Sequence, residues 1–124
     1  MLNDHEVRAR LAAARLVTVG RPVPGARGLA RRVHEVDLSG LDDPRLVPHA
    51  VIRALGVSVR PDLAPLDAIA AGLRGPALLV LGPCDRVLAG CARTVAGLLE
   101  RCPELSVLAI SGVPLGVPGE IPVN

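Results

Sequence analysis

Hydrophobic and polar positions change period several times along the chain, and each change marks an expected element. Val7, Leu11 and Ala14 fall at i, i+4 and i+7 behind Asp4, which predicts a helix over 4–15 capped by Asp4. Residues 16–19, Leu-Val-Thr-Val, form a short β-branched run stopped by Gly20 and read as a buried strand. The stretch GRPVPGARG over 20–28 reads as a loop, 29–32 holds one helical turn at most, and 33–38 alternates weakly as a second strand. A short helix is expected over 48–55, opened by Pro48 and closed by Gly56, and another over 62–73 before Gly75 and Pro76. Residues 77–81, Ala-Leu-Leu-Val-Leu, are apolar without alternation, as in a strand covered on both faces. The longest helix is expected over about 86–102, with Val87, Cys91, Val95, Leu98 and Cys102 on one stripe. A last buried strand follows over 105–110, and the Pro- and Gly-rich stretch 111–124 has no periodicity.

Strands alternating with helices predict an α/β domain: an open parallel sheet of about four strands with helices on both faces, in three layers. With 124 residues and neither linker nor repeat, 1–124 reads as one domain. Composition restricts the chemistry. Phe, Tyr and Trp are absent, so the core is built from Leu, Val, Ala and Ile, and base-stacking platforms and aromatic cages are excluded. All 14 basic side chains are arginine, which excludes Schiff-base chemistry and any lysine acting as base or phosphate ligand. The net charge of +2 implies neither a nucleic-acid nor a membrane partner. No apolar leader core or membrane-length run occurs, and three unevenly spaced cysteines match neither a disulfide framework nor a zinc pattern, so a soluble cytoplasmic protein without metal is expected.

Three segments carry a resemblance. LLVLGPCDRVLAGCARTVAGLLERCPELSVLAISGVPLGVPGE, residues 78–120, resembles a family segment reading LLVLDNCEHLL, a helix, then CPxLRVLATSREPLGVPGE. VDLSGLDDPRLVPHAVIRALGV, residues 36–57, resembles VDLAPLTDPALVPAAVAAALGV, and ARLVTVGRPVPGARGLA, residues 14–30, resembles ARLVTVTGPGGVGKTRLA. The family is the P-loop ATPase domain of AfsR/LuxR-type regulators of signal transduction and transcription, in the STAND class. The resemblance implies a P-loop NTPase-like fold and places a nucleotide site at Gly20, Gly25, Arg27, Asp85 and Ser111.

The departures fall on that site. In the family the loop amides wrap phosphates, a lysine reaches the outer phosphates and a Thr hydroxyl holds Mg²⁺. Ala26 stands at the lysine position, Arg27 at the Thr position, and Pro22, Val23 and Pro24 replace or follow the central glycines, removing two N–H donors. Gly82 stands at the Mg²⁺-binding Walker B aspartate, Asp85 at the following glutamate, and Gly112, beside Ser111, at the phosphate-sensing arginine. At about 1.5 to 3 kcal/mol per charge-assisted bond, losing three such groups removes on the order of 5 to 9 kcal/mol, or roughly 10³- to 10⁶-fold in affinity. The resemblance therefore implies no ATPase activity and no bound cofactor. It also implies a domain incomplete at the P-loop helix, with only 29–32 between Gly28 and Val33, and at the C-terminal end, where the family continues past Asn124. One sheet face then loses its helix, and association with a second copy or an intact homologous regulator is the expected remaining capacity. The alternative is an ATP/ADP-binding switch using an unconventional site of Arg27, Asp85 and Ser111.

Other candidates have plainer readings. Arg21, Arg27, Arg31 and Arg32 could form a basic patch, yet arginine supplies all of this chain's solubilising positive charge, and direct nucleic-acid contact is not expected. Cys91 and Cys102 lie on the apolar stripe and read as core, whereas Cys84 falls in a turn where it could reach solvent. His5, His34 and His49 are dispersed without metal-ligand spacing.

Overall fold

The computed structural model describes residues 3–58 and 60–123. Helix α1 (Asp4–Ala13) leads into β1 (Leu16–Val19), and an irregular crossover with one 3₁₀ turn at Ala26–Gly28 reaches β2 (Val33–Asp37). Helices α2 (Val47–Leu55) and α3 (Pro65–Gly72), β3 (Ala77–Gly82), α4 (Leu88–Arg101), β4 (Leu105–Ile110) and β5 (Glu120–Val123) follow. The strands form one parallel sheet in the order β2-β3-β4-β1-β5. The α/β parallel architecture expected from the alternating pattern is thus present.

The sheet has five strands where about four were expected. The additional one, β5, lies in the stretch read as aperiodic and pairs with β1, aligning Leu16 with Glu120 and Val19 with Val123. Its sequence, Glu-Ile-Pro-Val, is four residues long and contains a proline that cannot donate to a ladder, so it carries no strand signature and is confined to an edge. Asn3, rather than Asp4, caps α1: its side-chain Oδ1 accepts from the Glu6 N–H at 2.9 Å. Helix α3 begins three residues later than the pattern implied, at Pro65, whose ring suits a first helical turn. Helix α2 ends as expected, with Gly56 at φ +68°.

Alternation along the strands separates two apolar layers. Leu79, Leu81, Val107 and Ala109 face α2, α3 and α4, where Val51, Ile69, Cys91, Val95 and Leu98 are buried against them. Leu78, Val80, Val17 and Leu108 face the other way, toward Val7 of α1 and toward Ala26 and Leu29 of the crossover. Among the described residues the first face carries three helices and the second one, beside a crossover that passes β4 and β3 without an α-helix. Close approaches tighten the thicker layer: a Cβ on Gly90 of α4 would stand 2.1 Å from the Pro44 carbonyl oxygen. The Arg15 guanidinium donates to the carbonyls of Cys102, just past α4, and of Leu105, which ties the start of β1 to the end of that helix.

Candidate functional site

The expected nucleotide site maps to the C-terminal ends of β1, β3 and β4, the end of a parallel sheet where ligands ordinarily bind. Val19 and Ile110 lie in register there, and Gly82 closes β3. Gly20 follows β1 and is exposed.

The loop after Gly20 is committed to other contacts. Three of its amides are used internally: Ala26 N–H donates to the Val23 carbonyl at 3.1 Å, Gly28 N–H to Gly25 at 2.9 Å and Leu29 N–H to Ala26 at 3.1 Å. Gly20, Gly25 and Gly28 are not among the glycines with positive φ, so the αR–αL alternation that turns successive amides toward an anion is missing. Gly25 instead makes room for α1, since a Cβ there would stand 1.7 Å from a carboxylate oxygen of Asp4. Ala26 is buried against the second sheet face, so a lysine at this position would have to leave the core. Arg27 turns to β2 and pairs with Glu35 at 3.2 Å, its side chain 78% exposed.

The strand ends are equally occupied. A Cβ on Gly82 would lie 2.6 Å from Ile110 Cβ and 2.9 Å from its carbonyl oxygen, so β3 and β4 approach too closely for an aspartate to stand here unless one strand moves. Asp85 Oδ2 accepts from the Gly112 N–H at 2.8 Å. Ser111 is buried; its N–H donates to the Val19 carbonyl at 2.8 Å and its Oγ accepts from the Val113 N–H at 3.3 Å. Of the five expected site residues, Asp85 and Ser111 therefore come together through Gly112, whereas Arg27 is paired elsewhere and Gly25 packs on α1.

Glu120 and Thr18 were missed by sequence reasoning. Glu120 Oε2 accepts from the buried Thr18 hydroxyl and from the Leu115 N–H at 2.8 Å, and its Oε1 accepts from the Gly116 N–H at 2.9 Å. One carboxylate thus folds the segment after β4 back onto β1, while Gly116 (φ +81°) and Gly119 (φ +86°) make its turns. An isolated acid directly after Gly-Val-Pro-Gly in an apolar stretch was the available signal.

Cys84, expected where it could meet solvent, is fully buried, because the 3₁₀ turn at Asp85–Val87 folds it under the sheet end. Its thiol donates to the Leu81 carbonyl at 3.4 Å, and the neighbouring Cys91, together with burial, pushes its pKa up, the opposite of an activated nucleophile. Cys91 on α4 and Cys102 directly after it are buried as expected. Among the described residues no three His, Cys, Asp or Glu side chains group as metal ligands, and no helix is long and apolar enough to cross a membrane.

Comparisons with known proteins find relatives that this chain matches over part of their length. It is 34% identical over 134 aligned positions to an uncharacterized protein of Mycobacterium tuberculosis, covering 97% of this chain and 34% of that relative. It is also 34% identical over 127 positions to a protein of the same organism provisionally named an HTH-type transcriptional regulator, covering 93% of this chain and 14% of that one. Mycobacterium bovis has a counterpart of each at the same identity. The chain thus spans about a third of the length of the first of these relatives. Both alignments are longer than the chain's 124 residues, so each relative carries residues inside the matched region that this chain lacks. No family profile and no solved structure matches.

Proposed function

We propose that this chain is a nucleotide-independent, degenerate relative of the P-loop ATPase domain of AfsR/LuxR-type STAND regulators, without ATPase activity, and that it acts by association with another protein. The observation that carries the reading is that three key positions of the expected phosphate and metal site have a structural occupation. Ala26 is core, Gly82 is closed by Ile110, and Asp85 is tied to Gly112. The strand order supports the P-loop-like reading, with β1 one strand removed from β3 and the Val-Asp-Leu strand at the edge. Similarity to a regulator and relatives with additional internal residues agree with a shortened regulator domain.

The test is calorimetric titration with ATP and with ADP, each with Mg²⁺. No saturable heat is expected. Micromolar binding abolished by Arg27→Ala would overturn the reading and support the second one, an ATP/ADP switch. The meeting of Asp85 with Gly112, directly after Ser111, at the sheet's C-terminal end is what favours that alternative.

A further inference from the structure

The second face of the sheet holds an opening that the expected site does not use. A parallel crossover ordinarily carries an α-helix. Here the crossover from β1 to β2 passes two strands with a single 3₁₀ turn and leaves a groove of about 700 Å³ between α1 and its own last residues. Leu11, Leu29, Ala77 and Leu78 make the groove apolar, and the exposed Ala12 and Ala30 let a partner's backbone come close.

The rim carries charge of one sign in excess. Arg8, Arg31 and Arg32 stand at the mouth with Glu104, an excess of two positive charges that equals the formal net charge of the whole chain. Two of these guanidiniums are held in place: Arg8 donates to the Gly28 carbonyl at 2.8 Å, and Arg32 donates to the Arg74 carbonyl. Each does so through one of its five N–H groups, so donors remain for a carboxylate. Arg31 is exposed and enters no ion pair among the described residues.

We infer that this groove is a docking site for an amphipathic α-helix of a partner protein, one whose apolar stripe is flanked by Asp and Glu. The inference deepens the association reading and rests on it. The helix would lie in the groove that the helix-less crossover leaves, its apolar residues entering at i, i+3 or i+4, and i+7 against Leu11 and the floor of Leu29 and Leu78 while the flanking acids meet the arginine rim. Opposite charge sets the choice of partner and the encounter rate, and the apolar floor supplies the contact area.

Two labelled synthetic helical peptides test it, with the same Leu and Ala stripe but flanked by Glu in one and by Lys in the other. Their binding to the full chain is followed by fluorescence anisotropy. The Glu peptide is expected to bind at least about tenfold more tightly at low salt, with the difference shrinking in ~0.5 M salt as the charges are screened. Arg31→Glu cancels the rim's excess positive charge and abolishes the preference. Arg8→Glu weakens it as well, and because Arg8 also braces Gly28, Arg31→Glu alone decides if that variant loses its fold. Equal affinity for the two peptides, or a preference that survives Arg31→Glu, would overturn the groove. A self-associating chain whose dimer blocks the Glu peptide would also overturn it, placing a second copy there instead. Saturable ATP or ADP binding in the separate calorimetric titration would instead count against the association reading itself, so the two failures are distinguishable.

Discussion

Glu120→Ala removes a carboxylate that accepts from Thr18, Leu115 and Gly116 at once. Hydrogen bonds to a charged group contribute about 1.5 to 3 kcal/mol each, and deleting one partner leaves the others to be desolvated unpaired. Bonds to a single group are not additive, and Glu120 is only partly buried, so we expect a loss of about 2 to 4 kcal/mol rather than the full sum. Glu120→Gln keeps an acceptor but loses the charge and should cost about half as much. Without tryptophan or tyrosine the chain has no useful intrinsic fluorescence, so urea unfolding is followed by far-UV circular dichroism. A double-mutant cycle with Thr18→Val should return a coupling of about 1 kcal/mol or more, since these side chains touch. A Glu120→Ala variant within ~0.5 kcal/mol of the parent, or no coupling to Thr18, would refute the assignment of this carboxylate as the tie between the 111–119 segment and β1.

Three further outcomes follow from the packing and titration. Gly82→Ala should destabilise by about 1 to 3 kcal/mol through the clash with Ile110, and Gly82→Asp, measured by the same unfolding and by calorimetry, should gain no nucleotide affinity. Gly90→Ala should cost about 2 kcal/mol or more, because the nearest atom is the Pro44 carbonyl oxygen, which cannot rotate away as a side chain can. Burial, with a contribution from Arg32, holds the His34 pKa below its ordinary value of 6.5, and its Nε2 has no hydrogen-bond partner. The unfolded chain therefore takes up this proton first as pH falls. Stability associated with neutral His34 is fully present above pH 6.5 and is lost as pH drops through the folded value, and His34→Gln should flatten that slope in urea midpoints measured across the window.

The sheet's centre was legible because β1, β3 and β4 are buried on both faces, so that β3 reads as an unbroken apolar run and β1 and β4 are interrupted only by Thr18 and Ser106. Helix α4 was legible because Cys91, Val95 and Leu98 repeat at helical spacing, with Val87 and Cys102 continuing the stripe just outside its ends. The edge was not: β5 exists through its long-range pairing with β1, which leaves no local pattern in four residues containing Pro122. That alanine and glycine stand at 26 and 82, where the resemblance implies a lysine and an aspartate, was visible in the residues themselves. Their new surroundings were not, because Asp4 against Gly25 and Ile110 against Gly82 are contacts between segments far apart in sequence. The same applies to Glu120, whose partners Leu115 and Gly116 are near but whose anchor, Thr18, lies 102 residues away.

Independence from nucleotide is the central claim, and calorimetric titration of the intact chain with Mg²⁺-ATP and Mg²⁺-ADP tests it most directly. The account predicts no saturable heat with either nucleotide and no change on Arg27→Ala or Asp85→Asn. Binding in the micromolar range that either substitution abolishes would contradict it.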